Sequence, residues 1–572
     1  MRALPRLLLA CILLFACAPS LAAPATRPAF EADHELVIRN GKIIDGTGNG
    51  WFYGDVLIKG TKIAAVGKVD AGPKAEVIDA LGLIVAPGFI DVHTHADNGA
   101  IGSLGENFIR DGVTTIVAGN CGGSTTDVAS YFSRLRMKGS ALNVATLIGH
   151  NSVRREAKDD SAGDMTPEQM EKAKELVRQA MRDGAVGLST GLIYRPGLYS
   201  KTEEIIELAK VVGEFGGIYA THMRSEGTNI LAAIDEALRI GREGNCRVEI
   251  SHFKLPRDIA KSIGGAGATL GRVIAARAGG QEVWIDQYPY TASSTGINTL
   301  LPDWVYDQGS DEAKKRLEDP EQVKKMLADM KQNYEVERKR ASLGYAVIAS
   351  SSAEPNLAGR NLYEVTQVFK MRKEKNGAVE LLAEKPEKMP AVTMDEQYLA
   401  VIDICRRGGA SMVFHTMDEE EVEDILRHPL VSVASDSGIR EIGSGVPHPR
   451  GYGTNSRVLG RYVRERQIIT LEDAVRKMTS QPALAFRFDD RGLIRPGYVA
   501  DLVLFDAAKV IDQATFEKPH QFPLGIPHVI VNGYSVLRDG EMTGLLPGKP
   551  VPGPGGRDEA RAPETQPAAA GR

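Results

Sequence analysis

Two histidines separated by one residue end an almost wholly apolar stretch in the first fifth of the chain. The stretch, residues 83–92, has the composition of a strand covered on both faces. Side chains alternate along a strand, so His93 and His95 point to the same side. The pair predicts a metal site or a catalytic pocket at the carboxyl end of a buried strand, whereas an isolated pair of this kind also suits an ordinary polar loop.

Four further polar side chains follow predicted strands in the same way. They are Cys121 after residues 114–118, His222 after 218–221, His252 after 248–251 and Asp436 after 431–435. Amphipathic helices separate several of these strands, and Thr166-Pro-Glu-Gln169 is a capping box that opens one of them. Strands alternating with helices form a parallel sheet, and polar groups at its carboxyl edge are typical of a (β/α)8 barrel. We therefore expect an α/β fold with a TIM-like barrel.

The chain divides into segments of different composition. Short strands with glycine-rich turns occupy residues 34–86 and 491–545, and we expect one small β-sandwich domain built from both chain ends. The barrel itself is expected over residues 87–490. A charged helical pattern at about 296–409, with more strand candidates than eight, predicts an insertion near the barrel mouth. Residues 546–572, rich in proline and glycine, are expected to be disordered.

The first 23 residues have the pattern of a secretory signal peptide. Two arginines precede an apolar run over residues 7–18, and Ser20-Leu-Ala22 offers a small-residue cleavage site. We expect an exported protein, periplasmic or secreted. A lipoprotein anchor at Cys17 is the less favoured alternative, because the residues before that cysteine fit such a site poorly.

The mature chain is acidic. Cleavage lowers Lys plus Arg from 69 to 67 against 74 acidic residues, a formal charge of −7. This balance argues against a nucleic-acid partner, and no further apolar stretch suits a membrane span, so a small-molecule substrate is expected. Of the three remaining cysteines, Cys246 and Cys405 are expected to be buried or paired, whereas Cys121 lies in a glycine-rich turn where a thiolate can approach a metal.

The polar residues at the strand ends are those that bind zinc. Thiolate and imidazole groups are good zinc ligands, and three of them leave one position free for water. Asp436 alone also suits a helix N-cap, since Ser-Asp-Ser-Gly is typical of a turn. Beside metal ligands, its stronger interpretation is general acid–base catalysis, in which the carboxylate accepts a proton from water.

Taken together, these motifs resemble the amidohydrolase superfamily and, within it, the D-aminoacylase (N-acyl-D-amino-acid deacylase) family. The resemblance covers roughly residues 35–545. It rests on Pro87-Gly-Phe-Ile-Asp-Val-His-Thr-His95, Gly119-Asn-Cys121-Gly, Gly187-Leu-Ser-Thr-Gly-Leu-Ile-Tyr194, Thr221-His222-Met-Arg224, Ser251-His252-Phe-Lys254 and Ser435-Asp436. The cysteine in place of a metal-bridging carboxylated lysine is the specific feature, and no lysine stands near residues 185–190, the fourth-strand candidate.

The resemblance implies zinc-dependent hydrolysis of N-acyl-D-amino acids, and the D-stereochemistry rests on it alone. It implies that Cys121, His222 and His252 hold a tightly bound zinc, with His93 and His95 forming a second, weaker site. The alternatives are another amidohydrolase reaction, on a cyclic amide or a dipeptide, and a non-catalytic exported metal- or ligand-binding protein.

The resemblance also implies that a lysine and a tyrosine bind the substrate's α-carboxylate. Lys254, two residues after a predicted ligand and on the same side, is the matching lysine. Tyr194 and Tyr288 are the matching tyrosines, with Ser294 close behind. Tyr290 is an alternative to Tyr288, because strand alternation places both on one side.

Three arginines are open to two interpretations each. Arg224 either holds a carboxylate or braces acidic neighbours. Arg195 and Arg450 either extend the site toward an acidic side chain or lie at the surface. The sequence therefore does not decide whether acidic amino acids are preferred.

Overall fold

The computed structural model describes residues 34–374 and 389–557. The predicted signal peptide lies outside the described residues, as do residues 558–572. Among the described helices, none combines the length and the apolar character needed to cross a membrane.

The described residues contain strands of both the barrel and the small domain. They are β1 Glu35–Ile43, β2 Phe52–Lys59, β3 Lys62–Gly67, β4 Glu76–Asp79, β5 Ile84–Pro87, β6 Phe89–Asp91, β7 Val113–Ala118, β8 Asn143–Thr146, β9 Ile148–Gly149, β10 Gly187–Gly191, β11 Ile218–His222, β12 Arg247–Ile250, β13 Val283–Gln287, β14 Ser293–Gly296, β15 Ala346–Ser350, β16 Ser411–Phe414, β17 Val431–Val433, β18 Leu502–Phe505, β19 His528–Val531, β20 Tyr534–Arg538 and β21 Glu541–Met542.

Most helices lie between these strands. They are α1 Glu106–Ile109, α2 Val128–Lys138, α3 His150–Ala157, α4 Pro167–Arg182, α5 Thr202–Glu214, α6 Ile230–Glu243, α7 Arg257–Ile263, α8 Ala266–Ala278, α9 Ser310–Glu318, α10 Pro320–Lys331, α11 Leu362–Glu374, α12 Met394–Arg406, α13 Glu419–Arg427, α14 Arg450–Arg457, α15 Leu471–Met478 and α16 Ser480–Ala485.

A parallel barrel forms the centre of the molecule and confirms the predicted fold class. Its strands follow the order β6, β7, β8 with its continuation β9, β10, β11, β12, β13 and β17. The barrel closes between its first and last strands, where Thr94 bridges Ser437 and the His95 N–H donates to the Ser437 carbonyl at 2.8 Å. All eight strands therefore direct their carboxyl ends to one face, where polar side chains meet.

Helix α4 shows how local sequence builds the outer layer of the barrel. The Thr166 hydroxyl accepts the Gln169 N–H at 3.3 Å, and the Gln169 side chain accepts the Thr166 N–H at 2.9 Å, so the predicted capping box is present. The buried residues of this helix form one apolar stripe: Ala173, Val177, Ala180 and Met181. This stripe packs into the main hydrophobic core with the barrel strands.

The apolar run that precedes the two histidines is not one strand, and the prediction of a single strand is wrong. Strand β5 pairs with β18 in the small domain, whereas β6 pairs with β7 in the barrel. Pro87 provides no backbone N–H, and Gly88 lies so close to Thr114 that a Cβ would come within 2.3 Å of its side chain. The chain therefore passes from one sheet to the other at Gly88.

The small domain is built from both chain ends, as predicted. Its sheet has the order β21, β20, β19, β18, β5, β1, β2, β3, and β4 pairs with β1. The sheet curls over its own apolar face, because the Ala500 N–H donates to the Thr61 carbonyl at 2.9 Å and Lys62 bridges Val499. The hydrophobic core of this domain includes Leu36, Ile38, Val56, Ile58, Leu502, Leu504 and Ile530.

The predicted insertion forms a separate layer with its own hydrophobic core. Strands β14, β16 and β15 make a three-stranded antiparallel sheet, and α9 to α12 pack around it. Central members of this core are Met326, Met330, Tyr334, Leu362, Tyr398 and Val401. Because β14 follows β13 closely, the layer begins at the carboxyl face of the barrel.

The chain from residue 546 to residue 557 is packed against the barrel, so the expectation of disorder is wrong over this part. The Val551 N–H donates to the Val144 carbonyl at 2.8 Å, and Leu546 and Val551 are buried. A Cβ at Gly553 would lie 2.2 Å from the Ala185 carbonyl oxygen. Glycine here permits close backbone approach, which composition alone does not distinguish from flexibility.

Candidate metal centre

Six side chains predicted from the strand ends converge on the carboxyl face of the barrel. The Cys121 sulfur lies 3.3 Å from Nε2 of His93, 3.7 Å from Nε2 of His252 and 3.8 Å from Nδ1 of His222. The remaining two meet beside them, with His95 Nε2 3.0 Å from Asp436 Oδ1. The structure thus brings together every predicted metal ligand and the predicted proton carrier.

Three of these residues have a strained backbone. Cys121, His252 and Asp436 have φ angles of 52°, 36° and 50°, in the left-handed region that residues with a side chain rarely adopt. Such conformations cost of order 1–3 kcal/mol each and persist where the surroundings impose them, often at functional sites. The local fold therefore holds the side chains of these three residues inward at an energetic cost.

The spacing of the donor atoms suits zinc. Zinc bonds of about 2.3 Å to sulfur and about 2.1 Å to nitrogen place tetrahedral ligand atoms about 3.6 Å apart. The distances from the Cys121 sulfur to the three imidazole nitrogens, 3.3 to 3.8 Å, bracket that value. The thiol also has a pKa well below its usual value, because the imidazole of His93 and the hydrogen bonds from His222 and His252 outweigh the effect of burial.

Cys121 belongs to two ligand groups, not one. Ligand atoms within 4.8 Å of one another form the sets Cys121–His222–His252 and His93–His95–Cys121. A third set joins His93 and His252 with Asp436. Sequence reasoning assigned the cysteine to the tight site alone, whereas the structure places its sulfur between both predicted sites.

Asp436 is buried among cationic and imidazole groups. Arg450 Nη1 lies 2.9 Å from its Oδ2, and His93 Nε2 lies 3.6 Å from its Oδ1. Burial raises the pKa of Asp436, but the charges of Arg450 and His93 outweigh burial and hold the pKa well below its usual value. Arg450 is therefore a buried partner of the carboxylate rather than a surface residue.

Sequence reasoning missed two carboxylates that contact the histidines. Asp286 places Oδ2 3.4 Å from His93 Nδ1, and its Oδ1 accepts the backbone N–H of His252 at 2.7 Å. Glu226 lies 3.0 Å from His252 Nδ1. Asp286 had a signal, since strand alternation puts it on the side of Tyr288; Glu226 lies in a loop and had none.

Lys254 lies beside the cluster, as predicted. Its Nζ is 2.9 Å from His252 Nδ1 and makes a close ion pair with Glu226. Of the two alternative tyrosines, Tyr288 is the neighbour of the lysine, with Nζ 5.9 Å from its ring centre. Tyr290 packs instead under the Arg457 guanidinium, 4.7 Å from its ring centre.

The other predicted substrate-binding residues take different positions. The Tyr194 ring lies 4.8 Å from that of His222, and its hydroxyl is 3.2 Å from Thr295 Oγ1. Ser294 precedes that threonine on β14 and pairs with Val413 in the sheet of the insertion. Tyr194 therefore joins the barrel mouth to the first strand of the insertion.

Arg224 braces the barrel rather than facing the cluster. Its Nε and Nη2 each lie 2.9 Å from Glu236 carboxylate oxygens, and Nη2 also donates to the Ser200 carbonyl at 2.9 Å. These contacts engage the guanidinium with protein acceptors on two sides. The bracing alternative thus describes this residue.

A cavity of about 490 Å³ is lined by residues of the barrel loops and of the insertion. Two of its lining residues, Tyr194 and Glu226, contact the predicted ligands His222 and His252. The Arg195 guanidinium stacks 4.4 Å from the Tyr306 ring centre within it. The remaining lining comes from both layers and includes Ser225, Thr228, Asn298 and Thr299.

Within residues 34–374 and 389–557, the two cysteines outside the cluster are free thiols. Cys246 packs against the main core and Cys405 against the core of the insertion, and neither forms a disulfide. His150, which the sequence analysis did not select, is buried against Glu204 at 2.9 Å, away from the cluster.

Sequence comparison finds relatives along nearly the whole chain. The profile of the Amidohydrolase family matches residues 76–331 and 380–537. An N-acyl-D-glutamate deacylase from Alcaligenes xylosoxydans xylosoxydans is 34% identical, over 88% of this chain and 93% of the relative. A D-aminoacylase from the same organism is also 34% identical, over 90% of this chain and 97% of the relative.

A solved structure agrees with these matches. The N-acyl-D-glutamate deacylase from Bordetella bronchiseptica, complexed with zinc and a phosphonate inhibitor that mimics the tetrahedral intermediate, superimposes with a TM-score of 0.73. Its sequence is 32% identical, and the match covers 89% of this chain and 99% of that chain.

Proposed function

This chain belongs to the amidohydrolase family, in the branch of the D-aminoacylases, and from that premise we propose that it is a zinc-dependent hydrolase of N-acyl-D-amino acids. It cleaves the amide C–N bond and releases a carboxylate and a D-amino acid. The observation that carries this function is the Cys121 sulfur with three imidazole nitrogens at 3.3 to 3.8 Å. Cys121, His222 and His252 hold the metal, and His93 and His95 form with the same sulfur a second ligand set.

The chemistry divides between the metal and Asp436. Zinc, when bound, polarises the amide carbonyl and makes a nucleophile of water at neutral pH. Asp436, ionised and held by Arg450, is placed to take a proton from that water. It then delivers the proton to the amide nitrogen, which leaves as a neutral amine. Proton transfer of this kind is needed because an amide anion is a very poor leaving group.

The substrate's α-carboxylate has a cationic partner at the edge of the cluster. Lys254 and Tyr288 lie together beside His252, and 10% of the Lys254 side chain is exposed. A carboxylate bound there leaves the adjoining amide next to the ligands, because Lys254 Nζ lies 2.9 Å from His252 Nδ1. This arrangement supports a linear N-acyl amino acid as the substrate.

A chiral assay tests the function. Purified, zinc-loaded protein is incubated with paired N-acetyl-D- and N-acetyl-L-amino acids, and released amine is quantified. Release from the D series alone is the expected result. Release from dihydropyrimidines, hydantoins or dipeptides instead, with zinc bound, would replace this function by another amidohydrolase reaction.

We also propose that the enzyme acts outside the cytoplasm, in the periplasm or as a secreted protein. The basic, apolar and small-residue segments of residues 1–23 support export. Cell fractionation and the amino-terminal sequence of the mature protein test this proposal. A cytoplasmic protein that retains residues 1–23 would contradict it.

A further inference from the structure

The two histidines predicted for the tight zinc site, His222 and His252, turn different nitrogens toward the cysteine. His252 directs Nε2 at the Cys121 sulfur, whereas His222 directs Nδ1 at it. Their outer nitrogens consequently face the same carboxylate: Glu226 lies 3.0 Å from His252 Nδ1 and 3.6 Å from His222 Nε2. The side chains of both histidines are buried, and that of Glu226 is 17% exposed.

An imidazole that gives one nitrogen lone pair to a metal carries its proton on the other nitrogen. That outer N–H needs an acceptor in a buried site. His222 Nε2 is a buried atom with no hydrogen bond among the described residues except this long approach to Glu226. Glu226 therefore supplies the acceptor that the ligand form of His222 requires.

His252 has a competing neighbour. Lys254 Nζ lies 2.9 Å from His252 Nδ1, and an ammonium group is a donor only. A donor at that distance favours a lone pair on Nδ1, which would put the proton on Nε2, facing the sulfur. Glu226 accepts from Lys254 and lies within hydrogen-bond reach of His252 Nδ1, so it takes up the donor capacity of both groups.

We propose that Glu226 is a positioning residue that sets the tautomers of His222 and His252 for metal binding. It also accepts from the Lys254 ammonium, which keeps that ammonium from donating to His252 Nδ1. The inference rests on the proposed function, since it assumes the zinc site. One carboxylate from the loop after β11 then links two metal ligands to the residue that binds the substrate's carboxylate.

The test compares three variants of the full chain. Glu226→Gln keeps the shape but replaces one acceptor oxygen with a donor. Lys254→Met removes the competing cation and leaves Glu226 in place. Glu236→Gln is the matched control, because Glu236 is a neighbouring carboxylate that contacts Arg224 and Thr202 rather than the histidines.

Zinc affinity is measured by chelator competition, and ligand geometry by the thiolate-to-cobalt absorption band of cobalt-substituted protein. We expect Glu226→Gln to bind zinc about ten- to a hundredfold more weakly and to change the band. The zinc affinities of Lys254→Met and Glu236→Gln are expected to stay within threefold of that of the parent protein.

Equal zinc affinity and an unchanged cobalt band in folded Glu226→Gln protein would overturn the inference. An equal loss in Lys254→Met would also overturn it, because the ion pair rather than the tautomers would then be responsible. Failure of the proposed function is a separate result: the parent protein itself would bind no zinc or release no D-amino acid.

Discussion

Arg450 and Asp436 form a buried pair with Nη1 2.9 Å from Oδ2, and the same guanidinium lies 4.5 Å from the Tyr288 ring centre. One carboxylate oxygen is therefore directed toward Arg450. The other, Oδ1, faces His95 at 3.0 Å and His93 at 3.6 Å. Arg450 thus fixes which oxygen of Asp436 points at the metal cluster.

Replacing Arg450 should slow catalysis without removing the metal. Arg450→Met removes the charge that orients Asp436, and we expect kcat to fall about a hundredfold, the scale of one acid–base contribution. Zinc content should stay at the parent level, because the guanidinium does not contact the sulfur or imidazole ligands. Steady-state kinetics and analysis of the zinc content check this prediction. An unchanged kcat would show that Arg450 does not contribute to catalysis.

Asp436 and Cys121 should differ in what their loss removes. We expect Asp436→Ala to retain zinc and lose about 10²- to 10⁴-fold in kcat, as for loss of a proton-transfer group. Cys121→Ala should lose the zinc, since its sulfur is shared by two ligand sets. The zinc content of both variants distinguishes a proton-transfer role of Asp436 from a ligand role. Equal zinc loss in the two variants would identify Asp436 chiefly as a metal ligand.

Gly191 should be intolerant of any side chain. A Cβ there would lie 2.2 Å from the Cys121 carbonyl oxygen, so Gly191→Ala must displace the strained turn that presents the thiolate. We expect weaker zinc binding, with a loss of stability of about 1–3 kcal/mol. Gly271→Ala, in α8 with open space around it, is the control and should stabilise by about 0.5–1 kcal/mol. Similar zinc affinity in both variants would contradict the prediction.

Acid should weaken a buried ion-pair cluster remote from the metal ligands. Glu204 contacts His150 at 2.9 Å and Arg154 at 2.5 Å, and these partners outweigh burial and lower its pKa to about 2. A lowered pKa stabilises the fold above the unfolded value of about 4.3, and this stability is lost as the pH falls through about 2.

Glu204→Gln should therefore lower the free energy of unfolding by about 3 kcal/mol at pH 7, since each pKa unit corresponds to about 1.4 kcal/mol. The difference from the parent protein should shrink below about pH 4 and vanish only below about pH 2. Denaturant unfolding of zinc-free protein across this range measures it. Glu175→Gln, a 59% exposed carboxylate paired with Arg178, should change stability by less than about 0.5 kcal/mol at any pH. A constant difference at all pH values would mean that ionisation of Glu204 is irrelevant.

Strand alternation explains what the sequence could predict about the site. Each predicted ligand follows a buried strand, and a parallel barrel gathers strand ends on one face, so strand alternation and residue polarity predict a metal site there. The division of the ligands between two zinc sites came from the family resemblance. The same rule reaches Asp286, two residues before Tyr288 on β13. It does not reach Glu226 or Arg450, because these residues lie outside the strands and meet their partners only through the tertiary fold.

The other differences have physical causes of the same kind. The composition of an apolar run does not show which sheet the run joins. The change of sheet at Gly88 depends on the packing of Thr114 against this glycine, a contact that local sequence does not predict. Likewise, Gly553 looked flexible by composition, whereas the carbonyl of Ala185 requires its lack of a side chain. In both cases the deciding contact is distant in sequence.

The pairing of β5 with β18 has a consequence for folding. The register joins Val85 to Leu504, and β6, which leads into His93 and His95, begins two residues after β5 ends. A chain that lacks β18 has an open edge where this pairing belongs, next to the strand that leads into the first metal ligands. Contacts of such long sequence separation form late and slowly. Assembly of the metal cluster is thereby tied to completion of the chain, and truncated translation products should neither bind zinc nor hydrolyse substrate.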